Sequence, residues 1–445
     1  MTDSPRIAIL CAYFERSLVD ALVEAAARAG ADLHLWALES PWPSVAPFTR
    51  GRGRVGKFQA LNRLLPWARR ADLVLMIDDD VSLPDDFLPR YAAVVTALGA
   101  SIAQPALTAG SHHSYPITLE RPGRWARLTN FVETGPVVSM TRPFLDRVTP
   151  FPESNPMGWG LEAFWEATAR RDGLRMAVVD ACAVGHRFRP VAALYDTREA
   201  SQRMGEFLAE NDLDWSPEGH RVEREYLRIP HRRDDYLGLF PPPDEAVAHG
   251  KGTDSEHDLP TLWSVASLVR PGTVIELGTR QGVSTRTLAH AARGWGGRVI
   301  TVDPDDARPY LDGIDCEPLR TTGEALYGSG GGTTRMLYVD TDPHSYRQTR
   351  HWLDTWVVNR LEEGGVAVFH DVVAARPSIR VAQAVRDWLR EHPRGWRWQE
   401  FAGTSGLGLL WRPGDAPDFE GRVARALDRG HRRRAPTAPA PASVT

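Results

Sequence analysis

The sequence predicts an α/β protein of two domains, and three observations support this fold class. Strand-like and helix-like segments alternate through the first half of the chain and again over residues 273–411, as in doubly wound sheets. Residues 216–250 between them are charged and proline-rich with little periodicity, which is typical of a linker. The length of 445 residues is too great for one ordinary domain and suits two.

The elements of the first domain, residues 1–215, follow from the spacing of its apolar residues. The run DLVLMI at Asp72–Ile77 is continuously apolar, as expected of a strand buried on both faces of a parallel sheet. The remaining predicted strands are Arg6–Ala12, Asp32–Leu38 and Ser101–Pro105, and the predicted helices are Leu18–Ala29, Lys57–Arg69 and Phe87–Leu98.

The second domain is predicted over residues 251–413, where a strand at Thr273–Leu277 starts a new strand–helix pattern. Residues 414–445 are predicted to form a short helix and then a disordered tail rich in Arg, Ala and Pro. Helix–sheet packing is favoured over a sugar-stacking platform for Trp352, Trp356, Trp388, Trp396 and Trp398, because the first two share one helix face at i, i+4 spacing.

Composition limits the classes of partner. The net charge of −4 provides no overall attraction to nucleic acid, so the Arg-rich segments HRVEREYLRIPHRR and HRRR are interpreted as solvated linker and tail rather than as an RNA-binding surface. No segment approaches the run of about 18 apolar residues that a membrane helix needs. The three cysteines are far apart and form no disulfide framework. We therefore expect a cytoplasmic protein without nucleic-acid or membrane partners.

Three consecutive aspartates follow the predicted buried strand of the first domain. Asp78, Asp79 and Asp80 occur in LVLMIDDDVSLPDDF, at the carboxyl end of a sheet, where open α/β folds bind ligands. Adjacent carboxylates repel one another unless a cation neutralises them. Mg²⁺ and Mn²⁺ commonly bridge such carboxylates to a diphosphate. A solvated acidic turn is the alternative interpretation.

Together with the upstream segment GKFQALNRLL, this motif resembles the GT-A glycosyltransferases of the family-2 type. The resemblance covers about residues 5–215. It implies a GT-A nucleotide-diphosphosugar-binding fold in which Lys57 and Asn62 lie near the nucleotide. Asp78 and Asp80 would hold a diphosphate-bound Mn²⁺ or Mg²⁺, and Asp79 would face the ribose or the sugar.

Two later segments extend the same resemblance. NPMGWGLEAFWEA resembles the element whose carboxylate is the general base, which would be Glu162, with Glu133 of NFVETGPVVSMTR as the weaker candidate. A positioned base is needed because a neutral hydroxyl is a poor nucleophile. His186 follows an apolar strand in AVVDACAVGHRFRP, where many GT-A enzymes complete the metal site with a histidine. A purely structural histidine is the alternative.

A glycine turn opens the second domain in TVIELGTRQGVSTRTLAHAA. Its spacing differs from the dinucleotide fingerprint and resembles motif I of class I methyltransferases, which have a Rossmann-like fold and bind S-adenosyl-L-methionine. The resemblance makes Glu276, Gly278 and Gly282 cofactor-binding residues, and the two glycines would let the backbone approach the cofactor. Asp303 ends the next strand in RVITVDPDD, where a carboxylate can accept both ribose hydroxyls.

Two further motifs, MLYVDTDPHSYRQTRHWLDTW and LEEGGVAVFHDV, resemble a methyltransferase group that acts on hydroxyls of sugars and other natural products. The resemblance implies that Asp340 and Asp371 bind Mg²⁺, with His370 as a possible third ligand and His344 as the general base. Pro343 lies between Asp342 and His344, where the family pattern usually has no proline, and it therefore affects where His344 is placed. KGTDSEH at residues 251–257 resembles a segment that closes over the cofactor, or else is a flexible entry loop.

The two resemblances imply a bifunctional enzyme. Its first domain would transfer a sugar from a nucleotide-diphosphate donor to a hydroxyl of a small-molecule, glycan or peptide acceptor. Its second domain would O-methylate a hydroxyl, on the transferred sugar by preference, in natural-product or glycan tailoring. Methyltransferases of this group often assemble, so a homo-oligomer formed through the second domain is one expectation. The alternative is an O-methyltransferase with a non-catalytic glycan- or nucleotide-binding N-terminal domain.

Overall fold

The computed structural model describes residues 5–14, 18–230, 232–373, 376–392, 395–412, 422–423 and 426–427. The chain divides into two compact units, with the boundary between Glu225 and Tyr226. Each unit is built on its own sheet with helices around it. The predicted α/β class with two domains is therefore confirmed.

The sheet of the first domain has nine strands. These are β1 (Ile7–Tyr13), β2 (Asp32–Ala37), β3 (Thr49–Arg52), β4 (Leu73–Ile77), β5 (Ala100–Leu107), β6 (Arg124–Thr129), β7 (Val137–Thr141), β8 (Arg175–Val184) and β9 (Val222–Leu227). Their order is β3-β2-β1-β4-β7-β5-β8-β6-β9. β1 pairs in parallel with β2 and β4, whereas β7 runs antiparallel between β4 and β5. The strand order reverses between β1 and β4, which opens a crevice at their carboxyl ends.

Six α-helices accompany this sheet in the described residues. They are α1 (Val19–Ala29), α2 (Lys57–Leu64), α3 (Phe87–Leu98), α4 (Arg142–Val148), α5 (Leu161–Arg171) and α6 (Thr197–Glu210). The helix predicted at Lys57–Arg69 ends at Leu64 and continues as a 3₁₀ turn over Leu65–Ala68. Pro66 explains the difference, because proline has no N–H to donate and disfavours helical geometry in the residue before it.

The second domain contains a seven-stranded sheet. Its strands are β10 (Thr273–Leu277), β11 (Arg298–Asp303), β12 (Glu317–Arg320), β13 (Thr334–Val339), β14 (Leu361–His370), β15 (Arg397–Phe401) and β16 (Leu407–Trp411), in the order β12-β11-β10-β13-β14-β16-β15. β16 runs antiparallel to both of its neighbours, β14 and β15, whereas the strands from β12 to β14 pair in parallel. The helices are α7 (Arg233–Leu239), α8 (Asp244–Val247), α9 (Leu259–Val269), α10 (Val283–Arg293), α11 (Gly323–Gly328), α12 (Tyr346–Trp352) and α13 (Val381–Glu391). The order reverses between β10 and β13.

The segment predicted as a linker, residues 216–250, is structured instead. It carries β9, α7 and α8, and Tyr236 is buried in the same apolar cluster as Leu262 of α9. Its apolar residues are separated by prolines and charges, so they produce no periodic signal. The predicted tail, residues 414–445, lies outside the described residues apart from 422–423 and 426–427.

Tryptophan packing follows the prediction: Trp352, Trp356 and Trp388 are all buried in the core of the second domain. Across the described ranges, no helix combines the length and apolar character needed to cross a membrane.

Candidate active sites

A cavity of about 840 Å³ opens in the first domain, at the carboxyl ends of β1 and β4. All three consecutive aspartates line it, together with Lys57, His186 and Glu162. Its lining also includes Trp159, Tyr195 and Met157. A concave site that mixes apolar walls with converging charged groups is the arrangement expected of a small-molecule site.

Lys57, the first residue of α2, reaches the first of the three aspartates. Its Nζ lies 2.7 Å from Asp78 Oδ1 and donates to the carbonyl oxygen of Thr134. Asn62, predicted near the nucleotide, is not among the residues that line the cavity. Its side chain instead donates to the carbonyl of Phe151 and accepts the Phe151 N–H. Five residues along a helix correspond to a rotation of about 140° from Lys57, which explains why the two side chains point to different places.

The other two aspartates share an arginine that was not predicted. The Arg189 guanidinium donates to Asp79 Oδ1 and, at 3.0 Å, to Asp80 Oδ2. Burial raises the pKa of Asp79 to about 6, although the Phe14 N–H donates to its carboxylate. Burial also acts on Asp80, but hydrogen bonds from His186 and Arg189 hold its pKa below the ordinary value. No spacing rule marks Arg189, because it enters the cavity from a loop after β8.

His186 faces the third aspartate. Its Nε2 lies 3.5 Å from Asp80 Oδ1, and its Nδ1 lies 2.9 Å from the carbonyl oxygen of His112. A carbonyl at Nδ1 fixes the proton there and leaves Nε2 free to bind a cation, as in many metal-ligating histidines. Asp80 and His186 therefore fit a divalent cation. Asp78 does not join them in a set of three ligand atoms within 4.8 Å; among the described residues such a set occurs only in the second domain.

Two glutamates complete the cavity, and burial raises the pKa of both. Glu162, near the start of α5, is held by three donors. Its Oε2 accepts the Gly160 N–H at 2.9 Å, and its Oε1 accepts the Thr134 hydroxyl at 3.1 Å and the Thr134 N–H at 3.4 Å. Glu133 lines the same cavity, and its pKa rises to about 8.

The glycine turn of the second domain packs against the end of β13. Gly278 has φ +95°, and a Cβ there would lie 1.9 Å from the carbonyl oxygen of Asp340. Gly282 has φ +71°, and a Cβ there would meet Leu311 at 2.6 Å. Both positions therefore need glycine for conformation, and Gly278 also needs it for space because its clash is with backbone.

Gly278→Ala is expected to lower the stability of the second domain by about 3 kcal/mol, because it adds left-handed strain and a clash with backbone. Thermal unfolding of the purified chain measures the change. Gly272→Ala is the control, since a Cβ at Gly272 meets nothing within 4 Å. Equal melting temperatures for the two variants would contradict this steric account.

Two carboxylates hold the glycine turn in place. Glu276 is fully buried and accepts the hydroxyls of Ser284 and Thr285, both at 2.6 Å; burial raises its pKa to about 7. Asp303 Oδ2 accepts the N–H groups of Thr279 and Arg280, both at 2.9 Å. Glu276, expected to bind the cofactor, is instead enclosed in the domain, where it holds the start of α10. Asp303 lies at the turn itself.

The ends of β13 and β14 bring the predicted metal ligands together. One ligand atom each from Asp340, His370 and Asp371 lies within 4.8 Å of the others. His370 Nδ1 is 3.3 Å from Asp340 Oδ1 and 3.4 Å from Asp371 Oδ2. Two carboxylates and an imidazole form a set that fits a divalent cation.

His344 reaches this cluster despite the preceding Pro343. Its Nε2 lies 3.1 Å from both Asp340 Oδ1 and Asp371 Oδ2. Burial opposes the charged form of His344, but the carboxylates raise its pKa above the ordinary value. His344 and Asp371 both have positive φ, at 53° and 56°, a strained conformation that is found most often at functional sites.

Asp258, just before α9, supports the cluster and was not predicted. It is buried, with Oδ2 lying 3.6 Å from His370 Nε2 and accepting the N–H groups of Ser405 and Gly406. Burial works against a charged His370, but Asp340 and Asp258 raise its pKa to about 12. Asp258 directly follows the KGTDSEH segment. The motif ends at His257, so it assigned no role to Asp258.

A family model described as a methyltransferase domain matches residues 275–372. One similar structure is an O-methyltransferase from Bacillus cereus in complex with SAH, at 17% identity over 40% of this chain and 96% of that chain, with a TM-score of 0.31. Another is the O-methyltransferase TomG from Streptomyces achromogenes in complex with SAM, which is involved in tomaymycin synthesis. It is 20% identical over 41% of this chain and 96% of that chain, with a TM-score of 0.31.

GalNAc-T7 with UDP, GalNAc and Mn²⁺ is also similar, at 10% identity over 47% of this chain and 48% of that chain, with a TM-score of 0.37. None of the curated proteins compared with the chain matches it. The range matched by the family model runs from β10 to just past β14 and contains all the cofactor, base and metal residues predicted for that half. The match supports a methyltransferase domain in the C-terminal half of the chain.

Proposed function

We propose that the chain is a bifunctional tailoring enzyme. The first domain transfers a sugar from a nucleotide-diphosphate donor to an acceptor hydroxyl, and the second O-methylates a hydroxyl, in the first instance on the transferred sugar. The observation that carries the glycosyl-transfer half is the cavity in which Lys57, Asp80 and His186 converge at the switch point of the sheet. The methyl-transfer half rests on the family match and the cluster at the ends of β13 and β14.

In the first domain, Lys57 and Arg189 are the cations that face the donor, and Asp79 is proposed to contact its ribose or sugar. Asp80 and His186 would hold Mn²⁺ or Mg²⁺, with Asp78 proposed alongside them. Such an ion neutralises charge on a departing diphosphate. For the general base, the resemblance favours Glu162, which lines the cavity.

In the second domain, the glycine turn with Gly278, Gly282 and Asp303 is proposed to bind S-adenosyl-L-methionine. Glu276 supports this turn through its hydrogen bonds to Ser284 and Thr285. Asp340, Asp371 and His370 would hold a divalent ion, which lowers the pKa of a bound hydroxyl. His344 is the proposed base, since its Nε2 faces the same two carboxylates. Bound S-adenosyl-L-methionine would supply the methyl group, and His344 would accept the proton of the substrate hydroxyl.

A thermal-shift screen of the full chain tests both halves. We expect one transition to rise with S-adenosylhomocysteine and a second with UDP, GDP or dTDP in the presence of Mn²⁺ or Mg²⁺. A ligand at a hundredfold excess over its Kd stabilises its domain by about 2.7 kcal/mol. A response to S-adenosylhomocysteine but to no nucleotide would overturn the glycosyltransferase half and favour a methyltransferase with a binding module. No response to S-adenosylhomocysteine would overturn the other half.

A further inference from the structure

One side of the first domain's cavity is apolar, and it begins beside Glu162. The side chains of this apolar wall belong to Met157, Trp159, Val191, Leu194, Tyr195 and Met204, all of which line the cavity. Trp159 directly precedes Gly160, whose N–H donates to Glu162 Oε2. A Cβ at Gly160 would lie 3.1 Å from Met204 Cγ of α6, so Met204 continues the surface. The apolar wall therefore adjoins the proposed base.

The loop after β8 completes the apolar wall. Tyr195 meets Trp159 edge to face, with ring centroids 6.2 Å apart. Val191 is 41% exposed and Leu194 is 55% exposed. In the described part of the first domain, all the exposed large apolar side chains but one lie in this loop, at positions 188, 191 and 194. A local concentration of exposed apolar side chains marks a binding surface.

The polar atoms of the apolar wall already have protein partners. The Trp159 indole N–H donates to Tyr195 Oη at 3.0 Å, and the Trp159 carbonyl accepts from the Asn155 side chain at 2.8 Å. The wall's methionine, valine and leucine side chains have no N–H or O–H to donate. A glycan or a peptide placed here would lose water from several polar groups without gaining partners, which opposes its binding.

The charged part of the cavity suits the donor. Lys57, Asp80 and His186 converge there, at the carboxyl ends of β1 and β4. A nucleoside diphosphate is anionic, so it favours these cations and the proposed metal ion over the apolar wall. This assignment leaves the wall beside Glu162 to the acceptor.

We propose that the acceptor of the first domain is an apolar aglycone, an aromatic or polycyclic molecule with a hydroxyl, whose rings lie against the apolar wall. The inference rests on the proposed function and narrows its acceptor class, since it rules out glycans and peptides. The aglycone oxygen bonds to the anomeric carbon of the donor, and its proton passes to the proposed base Glu162. The nucleoside diphosphate leaves with the electron pair of the broken bond.

Binding is the first test, on the full chain with UDP, GDP or dTDP and Mn²⁺. Kaempferol and 2-naphthol are the apolar probes, and cellobiose and a serine tripeptide are the polar ones. We expect titration calorimetry to show binding of the apolar probes only. With UDP-glucose, GDP-mannose or dTDP-rhamnose as donor, mass spectrometry should then detect the sugar on an apolar probe. Several ring systems should be accepted, because methionine side chains adapt to the shape of a ligand.

Leu194→Asn and Leu239→Asn form a matched pair of variants. Both replace an exposed leucine by a polar side chain of similar size, but Leu239 ends α7 in the second domain and does not line the cavity. Leu194→Asn should raise the Kd for 2-naphthol by about 10-fold or more. It should leave donor hydrolysis unchanged, because water as acceptor does not need the apolar wall. Leu239→Asn should change neither quantity.

Three results would overturn the inference: no binding of either apolar probe, preference for cellobiose or the peptide, or an unchanged Kd for 2-naphthol in Leu194→Asn. Weaker nucleotide binding in Leu194→Asn would assign the apolar wall to the donor and overturn it as well. Donor hydrolysis by the wild-type chain is the separate check on the proposed function. If the wild type binds no nucleotide and hydrolyses no donor, glycosyl transfer itself fails, whatever the wall binds.

Discussion

Asp80→Ala is expected to reduce glycosyl transfer by at least about 10³-fold, which corresponds to about 4 kcal/mol of transition-state stabilisation. The Asp80 carboxylate is the group that faces both His186 Nε2 and the Arg189 guanidinium. Its removal takes the carboxylate away from His186 Nε2, leaves Arg189 paired with Asp79 alone, and removes one side of the proposed cation site. Donor hydrolysis in the presence of Mn²⁺ measures the loss.

The control for this variant comes from the same loop. The Asp85 side chain is 99% exposed, so Asp85→Ala removes a carboxylate without touching the cavity. Asp80→Asn keeps the shape of the side chain and separates loss of charge from loss of packing. S-adenosylhomocysteine should shift the melting of all three variants equally. Normal donor turnover in Asp80→Ala would remove Asp80 from the mechanism.

Asp371→Asn is expected to reduce methyl transfer by about 10²- to 10³-fold without abolishing cofactor binding. The carboxylate faces both His344 and His370, so the change removes charge from the proposed metal site and from the proposed base. Asparagine is the appropriate replacement because Asp371 has φ +56°, a conformation that Asn tolerates better than Ala. An alanine variant would mix backbone strain with loss of the carboxylate.

Two measurements check this prediction. Methyl transfer from S-adenosylmethionine is assayed with Mg²⁺, Mn²⁺ or EDTA, and Mn²⁺ binding is followed by electron paramagnetic resonance. Asp312→Ala, at an exposed position of the same domain, is the control. If Asp371→Asn retained full methyl transfer and bound Mn²⁺ like the wild type, Asp371 would have no metal role.

Sequence patterns predicted the parts of the molecule that local rules determine. The strand at Leu73–Ile77 and the helix at Phe87–Leu98 follow from apolar periodicity, and Asp78–Asp80 and the glycine turn follow from motifs at strand ends. The early end of α2 could also have been predicted, because Pro66 is visible in the sequence. The structured character of residues 216–250 could not, because their apolar residues contact distant elements such as α9.

The groups missed at the two sites share one property: their roles depend on contacts between residues far apart in the chain. Arg189 reaches Asp79 across 110 positions, and Asp258 reaches the N–H of Ser405 across 147. Such partners become visible only when the fold brings loops together.

The contact between Gly278 and Asp340 has a consequence for engineering the second domain. Because Gly278 leaves no room between the turn and the Asp340 carbonyl, the cofactor loop and the proposed ion-binding residue are mechanically coupled. A library that enlarges position 278 would displace Asp340 as well, so a loss of methyl transfer could be misread as a loss of cofactor affinity. Gln281, which is exposed and lacks the positive φ of Arg280, is a position of this turn where side chains can be varied without that coupling.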